Sequence, residues 1–195
     1  SGDRWQLVAS HRERARLAAQ VGDWATARTC YDAILSSFEL YGVYYSRACL
    51  EYETGCAEVG RHFMDKFTDY VRNGRRFPTM VYSFWPLMIA RVSRISGETR
   101  DFELADEWGR RALELSDQTP PLGVKTARVA IGLLALLKSD LLAAEEQFDL
   151  LIDDADGGSG TTPLYAQHEP YGEFFGLFKR AVGELDESVG HFKKT

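Results

Sequence analysis

Cysteine, methionine and proline are all scarce in this chain of 195 residues, with 3, 3 and 6 copies. Cys30, Cys49 and Cys56 form no C-x-x-C pair of the metal-binding kind, and their odd number cannot close into a full disulfide set. A reducing, cytoplasmic location is the expectation. Long hydrophobic runs are lacking too. The charge-free stretch from Phe77 to Ala90 is interrupted by Pro78 and Pro86, and it falls short of the roughly 20 apolar residues that cross a bilayer. No membrane partner is expected. Positive charge is in deficit, with 23 Lys and Arg against 29 Asp and Glu, a net charge of −6. That balance argues against a surface built to neutralise phosphates, so direct nucleic-acid binding is not expected.

The chain is 45% hydrophobic and 27% charged, enough to bury a sizeable core. Charge is uneven along it. Residues 1–100 carry 14 basic and 11 acidic side chains, whereas 101–195 carry 9 and 18, so the two halves should meet different surfaces. The opening Ser1-Gly2-Asp3, with neither an initiator Met nor a charged-then-apolar signal pattern, fits a piece cut from a longer polypeptide.

Spacing carries the strongest signal. Trp24, Ala27, Tyr31 and Ile34 fall three, four and three apart, which places them on one stripe of a helix. The steps return at Ala57, Gly60, Met64, Phe67, at Phe102, Ala105, Gly109, Ala112 and at Leu141, Ala144, Phe148, Leu151, with a weaker copy at Leu185, Ser188, Phe192. The second member is always small. A small residue followed four later by a bulky one lets two helices approach at one level and interlock at the next, a rule that Gly109 breaks. Upstream of each stripe lies another helical segment, set off by Gly22-Asp23, Thr54-Gly55, Gly97-Glu98, Ser139-Asp140 or Gly183-Glu184. Gly suits the left-handed residue that ends a helix, and Asp or Thr caps the next.

The chain therefore reads as all-α, with helical hairpins at about 3–38, 42–73, 79–116, 122–153 and 169–194 and no strand. A hairpin with one apolar face is not stable alone, so the expected form is a single domain, 1–195, in which about five hairpins stack into a right-handed α-solenoid with the first helices lining its inner wall. Extra length enters at Arg72–Pro78 and Asp153–Pro163.

Two segments, Ala15 with Gly22-Asp23-Trp24, Ala27 and Tyr31, and Gly132 with Leu141, Ala144 and Phe148, resemble the tetratricopeptide repeat, which sets a small residue in its first helix and an Ala then an aromatic in its second. The small residues Ala27, Gly60, Ala105, Ala144 and Ser188 are spaced 33, 45, 39 and 44 apart, against a family unit of about 34. Such stretched copies are similar to the helical arrays of large bacterial signalling ATPases and transcription regulators. The resemblance implies a non-catalytic scaffold that binds a protein or peptide on its inner wall, with basic side chains such as Arg12 and Arg16 clamping a carboxylate.

Aligning the hairpins on their small residues puts Arg12, Arg16, Tyr45, Cys49, Tyr52, Arg94, Val129, Leu133 and Leu136 on that wall. Guanidinium forks bind carboxylates, and Tyr45 or Tyr52 would cover an apolar side chain of the partner. The same residues also fit a plainer account: Arg12, Arg14 and Arg16 as a solvated face paired with Glu13, and the tyrosines as core. Phe84, Trp85 and Pro86 are the least periodic of an aromatic-rich stretch, and Pro86 is expected in the first turn of its helix with Ser83 as a nearby cap. Phe174, Phe175, Phe178 and Phe192 either pack on the preceding hairpin or form a self-association surface.

Enzyme and ligand motifs are missing. There is no G-x-x-x-x-G-K-[ST], no G-x-G-x-x-G and no H-E-x-x-H, and His11, His62, His168 and His191 are scattered over four hairpins. Cys56 and His62, six apart on a helix, point to different sides. The aspartates at 153, 154 and 156 lack a glutamate at the twelfth position of a calcium loop, and the arginines at 72, 75 and 76 lack the accompanying features of a phosphate site. No catalysis, metal or cofactor is expected. The alternative function is a regulatory or oligomerising segment of a larger ATPase, nucleotide cyclase or transcription regulator.

Overall fold

The computed structural model describes residues 2–38, 40–73, 80–119, 121–155 and 170–192. They form ten α-helices, one 3₁₀ turn at Ser116–Gln118 and, among the described residues, no strand. The helices are α1 (Gly2–Gln20), α2 (Trp24–Leu35), α3 (Tyr41–Glu53), α4 (Ala57–Asn73), α5 (Met80–Ser96), α6 (Phe102–Glu114), α7 (Pro121–Leu137), α8 (Leu141–Ala155), α9 (Pro170–Ala181) and α10 (Leu185–Phe192). Odd and even helices pack as five consecutive pairs whose limits lie within a few residues of those expected. Contacts group the chain into two units, Ser1–Arg75 and Arg76–Thr195. Beyond the ends of α4 and α8, the arginine-rich and acidic glycine-rich insertions lie outside the described residues, as do His168 and Phe77.

The joint inside each pair repeats in backbone geometry while its residues change. Gly22, Gly55, Gly97 and Gly183 all take positive φ, between 74° and 88°, and Ser139 does the same at 61°. In four joints two bonds close the first helix. The Gly22 N–H donates to the Ala19 carbonyl at 3.1 Å and the Asp23 N–H to that of Ala18 at 2.8 Å. Cys56, Asp140 and Glu184 reproduce the longer-reaching bond onto Glu51, Ala135 and Lys179. These are the two bonds of a Schellman closure, which needs a left-handed residue and so favours glycine. At the third joint a single bond, from the Gly97 N–H to the Ser93 carbonyl at 2.7 Å, ends α5, and the chain runs on to Asp101 before α6 starts.

Each second helix begins in the same register. The N–H of Ala27, Gly60, Ala105, Ala144 and Ser188 donates to the carbonyl of Asp23, Cys56, Asp101, Asp140 and Glu184 respectively, at 2.9 to 3.1 Å. The small residue thus sits one turn into its helix, and every one of the five is buried. Asp23 and Asp140 also cap with their carboxylates, accepting from the N–H of Thr26 at 3.0 Å and Ala143 at 3.1 Å. Leaving aside Phe192, whose side chain is outside those described, the stripes lie inward except at first members: Ala57, Leu141 and Leu185 are exposed, because the first helical position still faces the joint. Phe102 is buried, reached by the longer third loop.

Small residues admit a neighbour at short range. A Cβ on Gly60 would lie 2.8 Å from the Tyr52 ring, and one on Gly132 would lie 2.4 Å from Phe174. Gly109, the exception to the small-then-bulky rule, gives its space to Ile131 of α7, whose Cγ1 would stand 3.0 Å from an added Cβ. The first unit centres on Val8, Ala15, Ala27, Tyr31, Ile34, Val43 and Leu50. In the second, Phe174, Phe175 and Phe178 are all buried, and Phe148 of α8 lies 4.9 Å from Phe175 and 4.7 Å from Phe178. These three phenylalanines pack on the preceding pair, and the side chain of Phe192 is outside those described.

Pro86 departs from expectation. It sits in the second turn of α5, where its missing N–H forfeits a helical bond, and not in the first turn; Ser83 is fully buried rather than capping an exposed end. Residues 83–93 are buried without a break, so tertiary burial outweighs the roughly 3 kcal/mol that an interior proline costs a helix.

Candidate functional site

The first unit holds a network of charges of which sequence spacing announces only the Arg47–Glu51 pair, at i and i+4. Glu51 of α3 is almost wholly buried and takes a bidentate grip from Arg28 of α2, Nε to Oε1 at 2.8 Å and Nη2 to Oε2 at 2.9 Å. Arg28 also donates to Thr54 Oγ1 at 2.7 Å. Arg47 pairs with Glu51 one turn away and reaches Asp32 of α2 at 3.2 Å, with its guanidinium 5.0 Å from the centre of the Phe63 ring. All the charges are answered by partners within the unit, so the network ties helices together.

A cavity opens in the second unit on the three first helices, α5, α7 and α9, which pack successively, α5 on α7 and α7 on α9. Its volume is about 220 Å³. Leu133, Leu136 and Leu137 of α7 and Leu177 of α9 supply most of its apolar lining. Its ionisable groups are Arg91 and Arg94 of α5 and Glu173 of α9. Arg91 Nε donates to Glu173 Oε2 at 2.8 Å, and Arg94 Nη2 lies 2.9 Å from Glu173 Oε1. One carboxylate thus bridges two guanidiniums. Arg91 and Glu173 are largely enclosed, whereas the Arg94 side chain is 45% exposed.

Three of the expected wall residues, Arg94, Leu133 and Leu136, line this cavity together. Arg12 and Arg16 lie on α1 in the other unit, both half-buried. Arg16 Nε donates to Glu13 Oε2 at 3.1 Å, and that hydrogen bond holds the Glu13 carboxyl below its ordinary value. Tyr45 and Tyr52 are buried: Tyr45 lies 6.4 Å from the Phe67 ring and Tyr52 covers Gly60. The reason is that α3 packs on both α2 and α4, which encloses its tyrosines. Val129 is fully buried as well, and Cys49 is half-buried. Arg91 and Glu173 went unnoticed in the sequence. The spacing of Arg91 and Arg94 at i and i+3 was the available hint for the first, while Glu173 stands 82 positions from Arg91.

A wider hollow of about 490 Å³ lies beside α5 and α6, lined by Tyr82, Trp108, Glu107, Arg111 and Glu114. The Tyr82 and Trp108 rings meet edge-on at 5.3 Å, and Arg111 is paired with Glu114 at 2.7 Å. Among the described residues no group of three or more His, Cys, Asp or Glu is placed to hold a metal, and no helix is long and apolar enough to cross a membrane.

No protein-family model matches the chain, and no curated protein or solved structure shows significant similarity to it.

Proposed function

We propose that the chain is a non-catalytic scaffold of tetratricopeptide-like pairs, stacked as a solenoid, that holds a protein or peptide segment on the wall made by its first helices. The observation that carries this reading is the shared cavity on α5, α7 and α9. Stacking of successive first helices creates that wall, and the wall presents an apolar floor beside half-exposed positive charge. A peptide side chain that fills the floor supplies affinity, and an acidic group beside it satisfies Arg94. Arg12 and Arg16 extend the same chemistry to the first unit, where Arg16 would exchange Glu13 for a partner's carboxylate.

Panning a displayed random-peptide library on the protein, with counter-selection on Leu136→Glu, tests the reading. Leu136 is half-buried, so the variant keeps its helices by circular dichroism. Peptides should be enriched that bind the parent at least tenfold more tightly than the variant. Enrichment insensitive to Leu136→Glu, or no enrichment, overturns it. The alternative of an oligomerising segment draws on the exposed apolar side chains of α8, among them Leu142 at 80% and Leu150 at 49%. Light scattering that stays at one chain mass across concentration removes it.

A further inference from the structure

We infer that the hollow beside α5 and α6 is a receptor for a methylated ammonium, the cationic head carried by choline-like small molecules and by methylated lysine side chains. It shares no described lining residue with the cavity on α5, α7 and α9, so it stands apart from the peptide-binding reading of that wall.

Aromatic geometry carries the inference. Tyr82 of α5 and Trp108 of α6 line the hollow with their ring centroids 5.3 Å apart and their planes at 65°, so they form a corner and not a flat platform. The face of an aromatic ring is its negative side and attracts a cation held over it within about 6 Å. A round cation with several methyl groups touches both walls of a corner at once. A planar guanidinium stacks on one wall only, and a bare ammonium is too strongly hydrated to exchange its water for two rings. The corner is built before a ligand arrives. Trp108 packs on Trp85 at 4.9 Å, and Trp85 is 1% exposed, so the outer ring is held by a buried neighbour and the ordering cost of binding is low.

Carboxylates share the site. Glu107, Arg111 and Glu114 fall at steps of four and three along α6, on one face of the helix, and all three line the hollow. Arg111 is engaged by Glu114 at 2.7 Å, and both side chains are more than half exposed. Carboxylates beside ring faces favour a cation over an anion, and the rings attract it whatever else pairs with the carboxylates. The volume of about 490 Å³ falls within the roughly 300–1,000 Å³ of small-molecule sites, so the head group and part of its carrier both fit.

Calorimetric titration of the whole chain tests the inference and distinguishes the two sources of the head group. The probes are choline, its neutral carbon analogue 3,3-dimethylbutan-1-ol, acetylated trimethyllysine amide and acetylated lysine amide. At least one trimethylated probe should bind, and at least tenfold more tightly than its neutral or unmethylated counterpart. Tyr82→Leu removes one wall of the corner and should weaken that probe about tenfold, the loss of one cation–ring contact. Glu107→Gln changes an exposed side chain and should weaken it about threefold. Circular dichroism checks that both variants keep their helices. Binding of choline alone makes the source a small molecule, and binding of the trimethyllysine probe alone makes it a modified protein side chain. Equal affinity for a cation and its counterpart, indifference to Tyr82→Leu, or no binding of either trimethylated probe at millimolar concentration overturns the inference. Should Tyr82→Leu fail to fold, the comparison of each cation with its counterpart on the parent chain decides alone.

Discussion

Gly132→Ala puts one methyl group where the fold has no room for it. The new Cβ would stand 2.4, 2.6 and 3.0 Å from three ring carbons of Phe174. An ordinary carbon–carbon contact is about 3.5–4.0 Å, so the overlap is about 1 Å over one edge of the ring. Phe174 has no exposure and is hemmed in by Phe175 at 5.7 Å and Phe178 at 6.4 Å, so its ring cannot swing away without moving them. Two effects oppose each other. Alanine in place of glycine inside a helix gains about 1 kcal/mol of intrinsic helix propensity, whereas overpacking a close-packed site costs about 1–3 kcal/mol. With a contact this short and a ring this confined, the steric effect wins, by about 1–2 kcal/mol. For a chain of 195 residues that is a fall in Tm of about 2–8 °C. Thermal melts followed by far-ultraviolet circular dichroism read it directly. Gly190→Ala is the control, since nothing lies within 4 Å of its added Cβ, and it should raise Tm or leave it unchanged. Adding Phe174→Leu to Gly132→Ala should recover part of the loss, because the smaller side chain clears the methyl group. A Gly132→Ala protein as stable as its parent would refute the close approach of α7 and α9 at this level.

Ser139 holds the left-handed conformation that glycine holds at the other joints, so Ser139→Gly should stabilise the protein by about 1 kcal/mol, read as a rise in Tm of about 2–4 °C. Glu51→Gln leaves Arg28 and Arg47 facing a neutral amide at a buried site, and the urea midpoint should fall by the equivalent of about 3 kcal/mol. Hydrogen bonds from Thr26 hold the Asp23 carboxyl below its ordinary value of 3.8, so its cap stabilises fully above that pH and fades as pH falls through the lowered value. Melts from pH 6 down to pH 2 should show a shallower acid limb for Asp23→Asn than for the parent, and identical limbs would contradict that origin.

Much of the architecture was legible because its determinants are local. A stripe at three-four-three spacing and a glycine or serine before the next helix are both features of a dozen residues, and they located ten helices and five joints. Joint chemistry was legible even where glycine is missing, since the polar pair Ser139-Asp140 does the work of a Gly-Asp pair. What escaped depends on burial or on distant partners. Pro86 reads as a helix start by local preference, and only the burial of α5 overrides that preference. For Tyr45 and Tyr52 spacing left wall and core both open, and it is the helices on either side of α3 that enclose them. Arg94, Leu133 and Leu136 were found by aligning repeats, whereas Glu173, the group that organises Arg91 and Arg94, comes from a helix far along the chain.

Because each joint is completed by residues within about six positions of one another, a pair can bend back on itself before any other pair has formed. Closing so short a loop takes tens of nanoseconds and forfeits little chain entropy. Length has been added between pairs and, at the third joint, within one, without shifting the carbonyl that receives the small residue's N–H. Insertions at those tolerant places alter reach and surface while the locally encoded bend survives, which leaves the chain free to drift in period and keep its turning angle.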